Sequence, residues 1–209
     1  MRLVLASSNA RKFGEMRALF APLGFECLGC AELGISEPHE PHRSFIENAL
    51  VKARHAARYA ACAAIADDSG LCVEALGGAP GVDSANYAAI DVPLAEREVQ
   101  RRAQDQANNL LLLQRLRGIP DRRAHFVSAL VALRIADDPE PLVAVGRWAG
   151  EILDAPRGSG GFGYDPLMFI PALGKTVAEL AGDEKNRFSH RALAAQRMLL
   201  AMRESWRLA

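Results

Sequence analysis

The apolar segments of this chain are short, and several run straight into compact polar segments. These are Ser7-Ser8-Asn9-Ala10-Arg11-Lys12, Asp67-Asp68-Ser69-Gly70, Gly160-Gly161-Phe162-Gly163-Tyr164-Asp165 and Glu184-Lys185-Asn186-Arg187-Phe188-Ser189-His190-Arg191. That punctuation limits the fold. Arg2 to Ala6 reads as a buried strand, and Asn9 can cap a helix from about Ala10 to Leu23, which Gly24 stops. Phe25 to Leu28 reads as a second strand, and the proline-bearing stretch from Leu33 to Arg43 as a loop. Ser44-Phe45-Ile46-Glu47 is a capping box that opens an alanine-rich helix to about Ala61. Ala63 to Ala66 reads as a short strand ended by Asp67-Asp68, with Gly70 to Gly81 rich in turns. A helix from about Pro93 to Leu116, strands over Ala124 to Ile135 and Val143 to Ile152, and a glycine-rich loop from Asp154 to Asp165 follow. A helical turn over Thr176 to Leu180 and a last helix, capped by Ser189 and reaching about Trp206, complete the chain. Strands alternate with helices early and pair with one another later, so the pattern predicts an α/β fold with a mixed sheet flanked by helices.

The length of 209 residues suits one domain over 1–209, with room for two lobes. The 25 basic residues balance the 25 acidic ones, which argues against a general nucleic-acid binder, because such proteins are basic overall. Of the four cysteines only Cys27 and Cys30 form a C-x-x-C pair. A zinc site takes about four ligands, so burial as small hydrophobes in a reducing cytosol is the better reading. No signal peptide is legible and no apolar run approaches the ~18 residues of a membrane span. The chain is therefore expected in the cytoplasm, without a membrane partner.

The polar segments suggest a ligand. A strand running into Ser7-Ser8-Asn9 and a helix presents backbone N–H groups to an anion, with Lys12 in the first turn. An ordinary capped helix reads the same way, and the spacing of a Walker A loop is missing. Asp67 and Asp68 point in opposite directions on extended chain, so one can serve a metal or water while the other supports structure. An Asx turn with Gly70 in the left-handed region is the alternative. Asn48 and Lys52 share a helix face, and Lys52 either projects into a cleft or lies on the surface. Glu40 lies in a loop between His39 and His42. Glycines around Phe162 let backbone approach a ligand and leave an aromatic ring to stack on a base, or to pack into the core. His190 and Arg191 sit in the first turn of the last helix, where positive charge opposes the dipole. A ligand anion or carbonyl would account for them. Lysines, arginines, carboxylates and an aromatic together suit a nucleoside triphosphate with magnesium.

In combination these segments resemble the house-cleaning noncanonical purine NTP pyrophosphatases, also called inosine triphosphate pyrophosphatases. The resemblance runs through S-x-N-x-x-K at Ser7 to Lys12, F-I-E-N-A at Phe45 to Ala49 with Lys52 beyond, and A-D-D-S-G-L at Ala66 to Leu71. It continues through L-G-G-A-P-G at Leu76 to Gly81, G-G-F-G-Y-D-P at Gly160 to Pro166, G-K-T at Gly174 to Thr176 and E-K-N-x-x-S-H-R at Glu184 to Arg191. It implies a long mixed twisted sheet flanked by helices, two lobes with a central substrate cleft, and a homodimer. It also implies magnesium-dependent hydrolysis of ITP, dITP and XTP to the monophosphate and pyrophosphate. Asp68 is then the catalytic acid and a metal ligand, with Glu40 the second metal-side carboxylate. Ser7, Ser8, Asn9, Ala10, Arg11, Lys12 and Lys52 bind the triphosphate, and Ser69 also touches substrate. Phe162, Gly163, Tyr164, Asp165, Lys185, His190 and Arg191 surround the base and sugar. Phe162 is expected to stack on the base, with Lys185 to Arg191 and nearby backbone N–H groups donating to its 6-oxo group. Two positions depart from the family pattern: the Glu40 loop carries one acid where paired acids are common, and Asn86 stands where arginine is common. A related pyrophosphatase of the septum-inhibitor type and a non-catalytic nucleotide sensor are the rival readings. The Asn9 and Lys12 pattern speaks against the first, and Asp68 with Lys12 and Lys52 against the second.

Overall fold

The computed structural model describes residues 2–7, 9–90 and 97–206. Its strands are β1 (Arg2–Ala6), β2 (Glu26–Gly29), β3 (Ala63–Val73), β4 (Arg123–Leu133), β5 (Leu142–Ile152), β6 (Met168–Ile170) and β7 (Lys175–Thr176). Its helices are α1 (Ala10–Phe20), α2 (Phe45–Ala60), α3 (Arg97–Arg115), α4 (Gly182–Phe188) and α5 (His190–Ser205). The strands form one sheet in the order β2-β1-β3-β4-β5-β6-β7. β2 and β3 run parallel to β1, whereas β6 is antiparallel to β5 and to β7. This is the mixed sheet with helices that the alternation of elements predicts.

The chain divides into two compact units. The first comprises Met1–Ser69, Ser128–Arg147 and Asn186–Ala209, and the second Gly70–Val127 and Trp148–Lys185. In the first unit both faces of the sheet are covered. Leu3, Leu5, Ile65 and Leu130 pack with Met16 and Phe20 of α1 and Met198 and Met202 of α5. Their sequence neighbours Val4, Ala64, Ala66 and Val131 pack with Ala49, Ala53, Ala56 and Ala57 of α2. Strands buried on both faces read as continuous apolar runs rather than alternating ones, which is why β1 and β4 look so uniformly apolar in the sequence. Cys27 belongs to the first of these clusters and Cys30 to the second, so the C-x-x-C pair straddles the sheet. In the second unit Leu71, Leu112, Leu116, Phe126, Trp148, Tyr164 and Met168 form the core. Among the described residues, no helix is long and apolar enough to cross a membrane.

Caps appear where the sequence places them. Asn9 caps α1, Ser44 caps α2 and Ser189 caps α5, each by accepting from a backbone N–H. The start of the helix expected from Pro93 lies outside the described residues up to 96. One boundary differs in a way that matters. β3 does not stop at Ala66 but continues through Asp67-Asp68-Ser69-Gly70 to Val73. Gly70 is thus extended rather than left-handed. Its missing side chain is needed for another reason: a β-carbon there would meet the hydroxyl of Ser84 and the carbonyl of Gly81. Ser84 uses that closeness, accepting from Leu71 N at 2.9 Å and donating to Gly81 O at 2.6 Å. β6, β7 and α4 are additional elements; they span three, two and seven residues, too few to carry a period.

Candidate active site

The predicted residues fall into two sets, one in each unit. In the first unit, adjacent residues of β3 face different partners, as extended chain requires. Asp67 is 2% exposed. Its carboxylate accepts from Ser128 Oγ at 2.5 Å, Ser69 Oγ at 2.9 Å and Arg191 Nε at 3.3 Å, with Lys12 Nζ 3.4 Å away. Arg191 is also 2% exposed; it donates from Nη2 to Ser69 Oγ at 2.9 Å and pairs through Nη1 with Glu15. Burial alone would raise the Asp67 pKa, but Arg191, Lys12 and the Ser128 hydroxyl outweigh it and hold the carboxyl well below the usual range. Burial lowers the Lys12 ammonium, with Asp67 opposing. Arg191 is raised against its own burial by Asp67 and Glu15.

Asp68 looks the other way. Its Oδ1 accepts from Lys52 Nζ at 2.8 Å, and the same ammonium lies 2.9 Å from Glu40 Oε2. Oδ2 of Asp68 is buried with no hydrogen-bond partner among the described residues. Burial raises the Asp68 pKa; Lys52 opposes that and Glu40 adds to it. Lys52 feels burial too, yet Asp68 and Glu40 together lift it above its ordinary value. Glu40 reaches this place because Asn48 staples its loop. The Asn48 amide accepts from His42 N at 3.0 Å and donates to His42 O at 3.1 Å. So Lys52 projects between two acids, and the neighbour one turn earlier on its helix face holds one of those acids in place.

Two of the expected ligand contacts have partners within the protein. The first concerns the α1 N-terminus. Ser7 N donates to Leu5 O, Asn9 N to Ser7 Oγ, and Arg11 N and Lys12 N to Asn9 Oδ1. Within the protein these donors serve the turn and the cap, while Ala10 and Arg11 stand exposed in the first turn. Ser8 lies outside the described residues. The second concerns Arg191. Within the protein, the anions that offset its charge against the helix dipole are Asp67 and Glu15. His190 is buried beside it. α5 lies so close to β5 that a β-carbon on Gly146 would collide with the His190 carbonyl and stand 2.5 Å from Ala194 N. Two members of this network, Ser128 and Glu15, are not among the residues that the sequence singles out. Ser128 had a signal, being a lone polar residue inside the apolar run of β4. Glu15 follows Lys12 by one helical turn.

In the second unit, Phe162, Gly163, Tyr164 and Asp165 form a tight loop beside Lys185. Asp165 Oδ2 accepts from Phe162 N at 3.0 Å and from Lys185 Nζ at 2.8 Å. The Lys185 ammonium also stands 4.5 Å from the centre of the Phe162 ring, a cation–π contact. Gly163 N donates to Asp105 Oδ2 at 2.9 Å. The N–H groups of Phe162 and Gly163 are therefore engaged inside the unit. Tyr164 packs its ring into the core and donates its hydroxyl to Ser84 O at 3.0 Å. Burial, with Tyr87 and Asp105 nearby, pushes that phenol well above its ordinary pKa. Tyr164 thus shapes the loop from beneath.

Residues 3–201 match the model of the Ham1 family. The chain is 66% identical to the dITP/XTP pyrophosphatase of Methylibium petroleiphilum, with 99% of each chain covered. It is 60% identical to the dITP/XTP pyrophosphatase of Leptothrix cholodnii over the whole of both chains. Among solved structures it is similar to a HAM1 protein from Coxiella burnetii, with a TM-score of 0.86 at 37% identity, covering 98% of this chain and 100% of that one.

Proposed function

The chain belongs to the Ham1 family, and from that premise we propose that it is a nucleoside-triphosphate pyrophosphohydrolase. It converts dITP, ITP and XTP to the monophosphate and pyrophosphate, and so removes noncanonical purine nucleotides from the precursor pool. The observation that carries this reading in the chain itself is Asp68. It is a buried carboxylate with one oxygen on Lys52 and the other without a hydrogen-bond partner among the described residues.

The residues present fit a magnesium ion. Magnesium takes one or two carboxylates and completes its shell with phosphate and water, and Asp68 and Glu40 supply two acids on either side of one lysine. When bound, the ion neutralises phosphate charge and acidifies a coordinated water. The protein's own groups do the rest. Lys52 and Lys12 bind the phosphates, with Ser69 beside them. Asp68 accepts the proton of the water that attacks the α-phosphorus. The bond from that phosphorus to the bridging oxygen breaks, and pyrophosphate leaves with the electron pair. Arg191 acts through Asp67 and Ser69, keeping β3 in register for Asp68. Phe162 offers its ring to the purine, with Lys185 and Asp165 at its edge and His190 buried at the head of α5. The same family reading makes the enzyme a cytoplasmic homodimer.

The test is pyrophosphate release from dITP, ITP, XTP, dGTP and dATP with magnesium at alkaline pH. Monophosphate and pyrophosphate in equal amounts, with the first three substrates favoured, is the expected result. Release of single phosphates, or no preference over dATP, would overturn the proposal.

A further inference from the structure

Helix α3 makes an unusual set of bonds for an element that no part of the proposed chemistry uses. Four polar residues on adjacent turns reach out of it. Asp105 Oδ2 accepts from Gly163 N at 2.9 Å, and Asn109 Nδ2 donates to Gly163 O at 3.0 Å. One glycine of the loop is therefore held at both its N–H and its carbonyl, by side chains one helical turn apart. Asn109 keeps this orientation although its Oδ1 is then buried with no hydrogen-bond partner among the described residues. Turning the amide over would set that oxygen against the Gly163 carbonyl, so the donor to Gly163 decides the rotamer.

The other two residues hold a second segment. Asn108 Nδ2 donates to Ser84 O at 3.2 Å and Ala85 O at 3.1 Å, while its Oδ1 accepts from Ala88 N at 2.9 Å. Gln104 donates to Ala88 O at 2.7 Å and to Asn108 Oδ1 at 2.9 Å. The two grips meet, because Tyr164 donates its hydroxyl to the same Ser84 carbonyl at 3.0 Å. Phe162 and Tyr164 flank Gly163 directly. A loop with this many glycines has many backbone conformations, and positioning a ring for stacking requires that all but one be suppressed.

We infer that Asp105 and Asn109 are positioning residues for purine selection. By clamping Gly163 to α3 they fix the direction in which Phe162 presents its ring, which sets affinity for any base, and Asp165 its carboxylate, which distinguishes one purine edge from another, without touching substrate themselves. Gln104 and Asn108 brace the clamp through the Ser84 carbonyl. The inference rests on the reading that Phe162 and Asp165 face the base. It goes beyond that reading by making discrimination among purines a property of a helix remote in sequence from the loop.

The experiment has two arms on Asp105→Ala, Asn109→Ala and the conservative Asp105→Asn. The first measures amide hydrogen exchange over 160–165 in the free protein. The alanine variants are expected to exchange at least tenfold faster at Gly163 and its neighbours. Asp105→Asn, which keeps an acceptor oxygen, should stay within about threefold of wild type. The second compares kcat/KM for dITP and dATP. The alanine variants should raise KM for dITP and shrink the dITP-to-dATP ratio at least fivefold, with kcat on dITP falling less than twofold and Asp105→Asn restoring the ratio. Loss of kcat with the ratio unchanged would mean a merely structural role and would overturn the inference. So would unchanged exchange at Gly163. If Asp105→Ala does not fold, Asn109→Ala and Asp105→Asn decide the matter. If wild type releases no pyrophosphate from dITP, the proposed function fails, and the exchange arm still tests the clamp.

Discussion

Lys52 Nζ stands 2.8 Å from Asp68 Oδ1, while the other oxygen of that carboxylate is buried with no hydrogen-bond partner among the described residues. One side of Asp68 is thus neutralised and the other left to accept. Replacing it by asparagine keeps the shape and removes the charge. Asp68→Asn should lower turnover of dITP by roughly 10²–10⁴-fold, the range for losing a positioned proton acceptor. Its melting temperature should not fall, because a buried charge is removed while Lys52 keeps Glu40. Near-wild-type turnover in a pyrophosphate-release assay would take Asp68 out of the mechanism.

Activity should disappear on chelation and return with magnesium more fully than with calcium. Calcium is larger and tolerates irregular geometry, so it should bind at these acids but position the attack poorly. Isothermal titration of the metal into protein with a non-hydrolysable triphosphate separates binding from turnover. Undiminished activity after exhaustive chelation contradicts the prediction.

The Asp67–Arg191 pair should dominate the acid side of stability. The folded Asp67 carboxyl lies below its unfolded value, so the unfolded state binds the proton first. The stabilisation is fully present above the ordinary carboxylate pKa and drains away as pH falls below it. Arg191→Met leaves Asp67 buried with weaker partners and should cost about 3–5 kcal/mol at neutral pH, the range for breaking a buried pair. Asp67→Asn should flatten the loss of melting temperature between pH 6 and pH 3, and Arg191→Met should reduce it. An unaltered pH profile in both variants, measured in metal-free buffer, would count against the pair.

Gly146→Ala should be destabilising out of proportion to one methyl group. The added carbon meets the backbone of α5 at His190 and Ala194, and backbone cannot rotate away. Overpacking of this kind costs about 1–3 kcal/mol, or a melting temperature lower by roughly 2–4 °C per kcal/mol in a chain of this size. A calorimetric scan matching wild type would mean that α5 slides without penalty.

Phe162→Ala should weaken every nucleotide alike. A base stacked on an aromatic ring gains about 1–3 kcal/mol, so kcat/KM should drop roughly five- to a hundredfold with the order of substrates preserved. Stacking does not read the 6-position of the purine. A variant that loses the ranking but keeps its rate on dITP would show that the ring itself discriminates.

Much of the framework was legible because it obeys local rules. Asn9, Ser44 and Ser189 announce helices through side-chain acceptors that satisfy neighbouring N–H groups, and that chemistry needs no tertiary partner. The uniformly apolar strands also signalled a sheet covered on both faces. The DDSG segment reads locally as either a strand end or an Asx turn, whereas β3 runs on through it. Glycine after two aspartates is a local turn signal, whereas here Gly70 admits the hydroxyl of Ser84, fourteen residues further on.

The main elements, the caps and the acidic pair follow from residues within a few positions of one another, and the resemblance from the order of such short segments. What each charge faces follows only from the folded chain. Asp67 and Asp68 are chemically identical neighbours. The pleat of β3 sends one to Arg191, 124 residues away, and the other to Lys52, 16 residues away. Those partners pull one carboxyl down while burial pushes the other up. Coulombic interaction depends on distance and on the loss of water. Neither quantity exists until the chain has folded.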